Sequence, residues 1–200
     1  MNSALIIFVR NPVLGKVKTR LAASLGDQRA LDIYKSLLIH TCEISKELQE
    51  DKYIFYEDFI NLDDIWPNNI YNKKLQHGNN LGARMKDAFH FLFKLGFNKV
   101  VIIGSDCFEL TTEVLQEAFD RLSTNDIVIG PASDGGYYLL GMKKIHSFLF
   151  EKIKWSTDAV LQQTIGLCNR NQLSYFLLSE LSDIDEEKDL IHLKNFGLKL

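Results

Sequence analysis

The chain has 200 residues, 46% of them hydrophobic, with 23 Lys and Arg against 26 Asp and Glu and a net charge of -3. That length and apolar content suit one globular domain over residues 1–200 with a substantial core, and the acidic balance gives no support to a nucleic-acid partner. No stretch approaches the roughly 18 apolar residues of a membrane span; the apolar start lacks the basic region and cleavage site of a signal peptide, and Cys42, Cys107 and Cys168 read as reduced thiols of a cytoplasmic protein.

Residues 4–9 (ALIIFV) are apolar on both faces and predict a first strand. Residues 10–20 (RNPVLGKVKTR) follow as a loop carrying Arg10, Lys16, Lys18 and Arg20, with no acid before Asp27. A glycine-bearing loop flanked by cations offers backbone N–H groups and charge to a phosphate-bearing ligand. One cation–phosphate pair at about 4 Å is worth about 4 kcal/mol before desolvation, at an effective dielectric of about 20. A solvated basic loop is the plain alternative. The spacing is not that of a P-loop, and no G-x-G-x-x-G occurs, which disfavours a Walker-type ATPase and a dinucleotide oxidoreductase.

Apolar residues from Ala30 to Leu48 recur at spacings of three and four, so residues 27–50 predict an amphipathic helix. A short strand over 53–56 is followed by an irregular stretch to residue 74, with a further strand near Tyr71. Residues 76–82 form a turn-rich entry to a helix whose core face is Leu81, Met85, Ala88, Phe89 and Leu92 and which ends at Gly96. Arg84 lies on the other face, directed either to solvent or to a ligand held by the 76–82 loop.

Residues 99–103 (KVVII) place four β-branched residues in a row, a pattern that predicts a strand buried on both faces, as in the middle of a parallel sheet. Gly104 allows a sharp exit, and Asp106 stands just past the strand's carboxyl end, where open α/β sheets bind ligands. There it is either a metal ligand or a helix cap. Thr111 predicts the N-cap of a helix over 113–122, and residues 127–130 predict another buried strand. Asp134-Gly135-Gly136 is either a plain hairpin turn or a place where a ligand approaches backbone. Tyr137 and Tyr138 then alternate faces of the returning strand. Helices over 148–153 and 156–168 and a strand over 173–178 complete the core. Asp185 is placed to cap a tail helix ending near Gly197, and an EF-hand is disfavoured because no glycine stands at the sixth loop position.

Other chemistries find less support. His40, His77, His90, His146 and His192 show no paired ligand spacing, Cys107 has no evident histidine partner, and Ser105 lacks a nucleophile elbow. Trp155-Ser156-Thr157 is either an acceptor-side contact or a hydrophobic staple before a helix.

Six stretches, in this order, go beyond periodicity: FVRNPVLGKVKTRL at 8–21, LGARM at 81–85, IGSDC at 103–107, GPASDGGYY at 130–138, WST at 155–157 and DID at 183–185. Together they resemble the DUF2064 family of glycosyltransferase-A-type, nucleotide-diphospho-sugar transferase-like proteins, some described as arsenosugar-biosynthesis glycosyltransferases. That family is similar in turn to phospholactate and molybdenum-cofactor guanylyltransferases. The resemblance implies a GT-A fold, a three-layer α/β/α sandwich around a mainly parallel mixed sheet. It implies that Arg10, Gly15, Lys16, Lys18 and Arg20 cradle nucleotide phosphates, with Gly82 and Arg84 also assigned to the nucleotide. Asp106 would hold a divalent metal, Mg2+ or Mn2+, completed by Asp185 or else Asp183. Asp134, the candidate acceptor base, would contact the sugar or acceptor together with Gly135, Gly136 and Tyr137. Leu14 and Phe108 stand where that family often has proline.

Three functions compete: a metal-dependent transferase acting on a nucleotide-diphospho-sugar, a nucleotidyltransferase releasing pyrophosphate, and a non-catalytic nucleotide-binding module. The expected partners are a nucleotide-sugar or NTP and a small-molecule acceptor, with no nucleic acid and no membrane. All depend on one spatial expectation, that the cationic loop and Asp106 face each other across a single cleft.

Overall fold

β1 (Ser3–Val9) and β4 (Lys99–Ile103) run side by side in parallel, Ala4 opposite Val100 and Ile7 opposite Ile103, with their apolar side chains buried on both faces. The computed structural model of the protein describes residues 2–191. Around this pair stand β2 (Asp51–Tyr56), β3 (Tyr71–Leu75), β5 (Ile127–Pro131), β6 (Tyr137–Met142) and β7 (Tyr175–Leu177), in the sheet order β3-β2-β1-β4-β6-β5-β7. β6 is antiparallel to both β4 and β5; the other pairings are parallel. The central strand is therefore buried in a mixed sheet, with a parallel neighbour on one side only. A both-face apolar run reports burial, not the direction of the neighbour.

Helices cover both faces, giving the α/β/α sandwich. On one side, Tyr34 and Leu38 of α2 (Asp27–Lys46) and Leu115 and Phe119 of α4 (Thr112–Arg121) pack on Leu5, Ile7, Val101 and Ile103. On the other, Phe89 and Leu92 of α3 (Leu81–Lys94) and Cys168 of α5 (Val160–Arg170) pack on Ile6, Val100, Ile102 and Leu140. These alternating partners are the period-2 pleat of the strands read against the 3.6-residue turn of the helices. A third cluster joins Leu21 of α1 (Thr19–Leu25) to Ile33, Leu37, Ile184 and Leu190, tying the tail to the first loop. No helix among the described residues is long and apolar enough to cross a membrane.

Several boundaries differ from the sequence reading. Residues 19–25 form α1, overlapping the end of the 10–20 loop, where Leu21 is buried against Ile33, Leu37, Ile184 and Leu190. The 148–153 helix is a single 3-10 turn, Ser147–Phe150, and α5 begins at Val160 rather than at 156. Leu81 is 45% exposed instead of core, since Asn80 caps α3 by accepting the Ala83 N–H and Leu81 is left on the helix's first turn. Glu186, not Asp185, caps the short 3-10 helix Glu187–Asp189. His192 and the rest of the tail helix toward Gly197 lie outside the described residues.

The topology fixes where a ligand can bind. The chain moves outward from β1 through β2 to β3, then returns to the opposite side of β1 for β4. The reversal leaves a crevice beyond the carboxyl ends of β1 and β4, the position at which open α/β sheets bind ligands.

Candidate functional site

A cavity of about 830 Å³ occupies that crevice. Of the residues singled out in the sequence, Arg10, Lys18, Arg20, Arg84, Asp106, Asp134, Gly136, Tyr137 and Asp185 line it. The cationic loop, through Arg10, Lys18 and Arg20, and Asp106 thus border one cleft, with Lys18 in direct contact with Asp106. Gly15, Lys16, Gly82 and Gly135 do not line it. Burial of Val17 and Lys18 turns the tip of the loop outward, where Lys16 is exposed and Gly15 takes φ +73° in the turn.

At the β4 end the groups are mostly acidic. Lys18 Nζ is 2.8 Å from Asp106 Oδ1 and 3.9 Å from Asp185 Oδ1, and Arg20 Nη1 is 2.9 Å from Asp185 Oδ2. The tail reaches this place through its main chain: the Ile184 N–H donates to the Asp106 carbonyl at 2.9 Å. Asp183 and Asp185 therefore flank a residue fastened to the exit of β4. The Asp183 carboxyl is pushed up to about 7, first by desolvation and then by the neighbouring Asp106 charge, with Asp134 and Asp185 adding to the rise and Lys18 opposing it. Asp134 Oδ1 accepts the Gly136 N–H at 2.8 Å, which fixes the turn between β5 and β6 with the carboxylate on the cavity wall.

The opposite end, beyond β2 and β3, is mostly basic. Arg10 Nε is 3.0 Å from Glu57 Oε2, and Arg84 Nη1 is 2.7 Å from Glu57 Oε1. Gln76 donates from Nε2 to the carbonyls of Phe55, at 2.9 Å, and Val9, at 3.3 Å. Its amide is locked by those bonds, and Oε1 is left facing Arg84. Between the two ends, Tyr34 Oη accepts the Arg10 N–H at 2.8 Å, donates to the Arg10 carbonyl at 3.1 Å and lies 3.3 Å from Ser105 Oγ. One phenol from α2 thereby holds the exits of β1 and β4 in register. Burial, then the Asp106 charge, raises its pKa and keeps it a neutral donor.

Glu57, Gln76, Tyr34 and Asp158 line the cavity and are not singled out as site residues in the sequence. A signal for Glu57 existed: it follows β2 directly, as Asp106 follows β4 closely. Gln76 opens the 76–82 loop offered above as a ligand loop, whereas Tyr34 and Asp158 carry no comparable mark.

Two of these glycines make room for neighbouring parts of the protein. A Cβ on Gly82 would lie 2.3 Å from Trp155 Nε1, so its missing side chain admits the indole against the start of α3. Gly135, at φ +86°, would place a Cβ 2.2 Å from the Asp158 carbonyl oxygen. Both are close-approach positions within the protein, and neither lines the cavity. Trp155 lines the cavity edge-on to Tyr137, and since α5 starts five residues later it staples no helix. Of the two residues that stand in place of proline, Leu14 is exposed and Phe108 packs against His40, ring centroids 4.4 Å apart. Cys107 is a buried packing thiol whose pKa burial drives upward.

A metal can be weighed against the donor set. Carboxylate oxygens are the hard donors Mg2+ and Mn2+ take, and Mg2+ commonly uses one or two protein carboxylates, completing its shell with water and substrate phosphate. Asp106 and Asp185, both within reach of one ammonium, fit that shared arrangement. Among the described residues no group of three or more His, Cys, Asp or Glu is placed to form a closed protein cage.

Comparison with solved structures gives a crystal structure from Desulfovibrio desulfuricans G20, provisionally named a nucleotide-diphospho-sugar transferase, at TM-score 0.89 and 30% identity over 98% of this chain and 89% of that one. The 4-diphosphocytidyl-2C-methyl-D-erythritol synthase of Anaerococcus prevotii DSM 20548 matches at TM-score 0.62 and 12% identity, covering 98% and 95% of the two chains. CMP:2-keto-3-deoxy-manno-octonic acid synthetase, in a complex with CTP, matches at TM-score 0.56 and 8% identity, covering 98% of each chain. The last two show a common fold. No curated protein matches. The profile of DUF2064, described as an uncharacterized protein conserved in bacteria, matches residues 42–157, more than half of the chain and including Asp106, Asp134 and Trp155. On that match, and on the likeness to the Desulfovibrio protein over nearly its whole length, the chain belongs to the DUF2064 family.

Proposed function

We propose that this protein is a transferase that binds a nucleotide-diphospho-sugar through its diphosphate and passes the sugar to a small-molecule acceptor. The observation that carries the reading is the meeting of Lys18, Arg20, Asp106 and Asp185 on one wall of a cleft at the β1/β4 switch point. The name of the Desulfovibrio protein, at 30% identity, supports the same class. In this reading Arg10, Lys18, Arg20 and Arg84 bind phosphate oxygens, supplying charge-assisted hydrogen bonds where negative charge grows on the leaving diphosphate. Asp106 and Asp185 would hold Mg2+ or Mn2+, which when bound neutralises the departing diphosphate. Asp134, positioned by its bond to Gly136, is the base candidate for the acceptor hydroxyl. The three free cysteines suit a reducing, cytoplasmic setting.

The test is ligand binding followed by thermal unfolding and calorimetry with nucleoside diphosphates, nucleotide-sugars and Mn2+. A true ligand at about 100 times its Kd adds about 2.7 kcal/mol of stability. Asp106→Asn is expected to keep the fold and lose metal-dependent binding. If Asp106→Asn binds as the wild type does, or if no nucleotide with Mn2+ stabilises the protein, the transferase reading falls. Pyrophosphate released from an NTP and a phosphorylated acceptor, with no sugar transfer, would reassign the chemistry to nucleotidyl transfer.

A further inference from the structure

Lys18 occupies a place that phosphate binding alone does not require. Its side chain is 5% exposed, and its Nζ rests on Asp106 and, more distantly, on Asp185. Its backbone sits in the left-handed region at φ 49°, ψ 46°, which disfavours side chains larger than glycine, at a helix start with no side-chain cap. The buried Val17 before it and the buried Leu21 after it hold the segment there, so the ammonium is delivered to the acids by the fold. Arg20 differs: its side chain is 70% exposed and, among the described residues, pairs with Asp185.

The two carboxylates that share the Lys18 ammonium are the two that a divalent cation would take in the reading proposed above. A fixed positive charge at contact distance opposes a second cation, more strongly in a partly enclosed cleft than in open water. Resting on that reading, we infer that Lys18 is a built-in counter-ion, competing with the divalent cation for Asp106 and Asp185 and giving way when a diphosphate arrives to receive its ammonium. The free protein then binds metal poorly. Metal and diphosphate bind cooperatively, and by linkage each raises the affinity for the other by the same factor.

The competition is read without turnover, by titrating Mn2+ against metal-free protein and following the electron paramagnetic resonance signal of the free ion. Wild type, Lys18→Met and Lys18→Gln are compared with and without pyrophosphate, after allowance for the Mn2+–pyrophosphate complex in solution. Without pyrophosphate, both variants are expected to bind Mn2+ about tenfold or more tightly than the wild type, because one repelling charge is gone. With pyrophosphate, the wild type is expected to gain more affinity than either variant. Circular dichroism melts establish that each variant is folded, and cooperativity in the wild type alone provides a measurement independent of any substitution. Variants that bind Mn2+ no better than the wild type, or a wild type whose Mn2+ affinity ignores pyrophosphate, overturn the role of Lys18. In that event, Mn2+ uptake still abolished by Asp106→Asn leaves the metal reading standing. Uptake indifferent to Asp106→Asn removes the metal reading and the inference with it.

Discussion

At the β4 end of the cleft the carboxylates Asp106, Asp134, Asp183 and Asp185 gather around the cations Lys18 and Arg20; at the β2 end the carboxylate of Glu57 is shared by Arg10 and Arg84. The same interaction, a charged side chain pinned by its opposite, leaves a surplus of acid in one place and of base in the other. Buried or half-buried charge is costly unless matched. The acidic end therefore favours an incoming cation and the basic end an incoming anion. A ligand that brings both, as a metal-bound diphosphate does, completes each end with what it lacks.

That contrast can be broken or sharpened by substitution. The largest effect is expected from Gly135→Ala, which forces a side chain into positive φ and against the Asp158 backbone beside the acidic end. Strain and overpacking together predict a loss of about 3 kcal/mol in urea unfolding. An unchanged midpoint would show that the turn carrying Asp134 is loose. Arg84→Met removes one cation from the basic end. Nucleotide binding measured by calorimetry should weaken about 10- to 100-fold while Mn2+ uptake by the free protein stays as it was. Equal losses in both would mean that the two ends act as one.

The smallest effect concerns Asp183. Its folded-state pKa is raised to about 7 from an ordinary 3.8, so between those values the folded protein holds a proton that the unfolded chain has lost. The stability this proton contributes is fully present below about pH 4 and is lost as pH rises through 7. In EDTA, the wild type should lose stability from pH 5 to pH 8 more steeply than Asp183→Asn. Matching slopes would place the carboxyl in an ordinary solvated setting.

Much of this architecture was legible from residue pattern. The unbroken apolar runs of β1 and β4 identify buried strands, and the rule that ligands gather past strand carboxyl ends leads to Asp106 and to the cationic loop. The parallel or antiparallel sense of β6 was not legible, because an apolar strand looks alike in either direction. Nor was α1, whose helix depends on Leu21 finding Ile184 and Leu190, residues far along the chain. The helix face of Arg84 left it open between solvent and a ligand, and its partner Glu57, though directly past β2, heads a stretch of mixed composition that draws attention from it. Gly82 and Gly135 each record that something comes close, and the sequence does not name the neighbours the structure shows there, Trp155 and Asp158 of the protein itself.

The hydrogen bond from the Ile184 N–H to the Asp106 carbonyl has a consequence for the order in which the protein is made. A nascent chain leaving the ribosome carries Asp106 without Asp185 until residue 185 has been synthesised. Lys18, already present, has only that one acid to meet in the meantime. A fragment ending before residue 185 lacks the carboxylate that shares the Lys18 ammonium with Asp106, and a cut between Ile184 and Asp106 leaves that pairing to the main-chain bond alone.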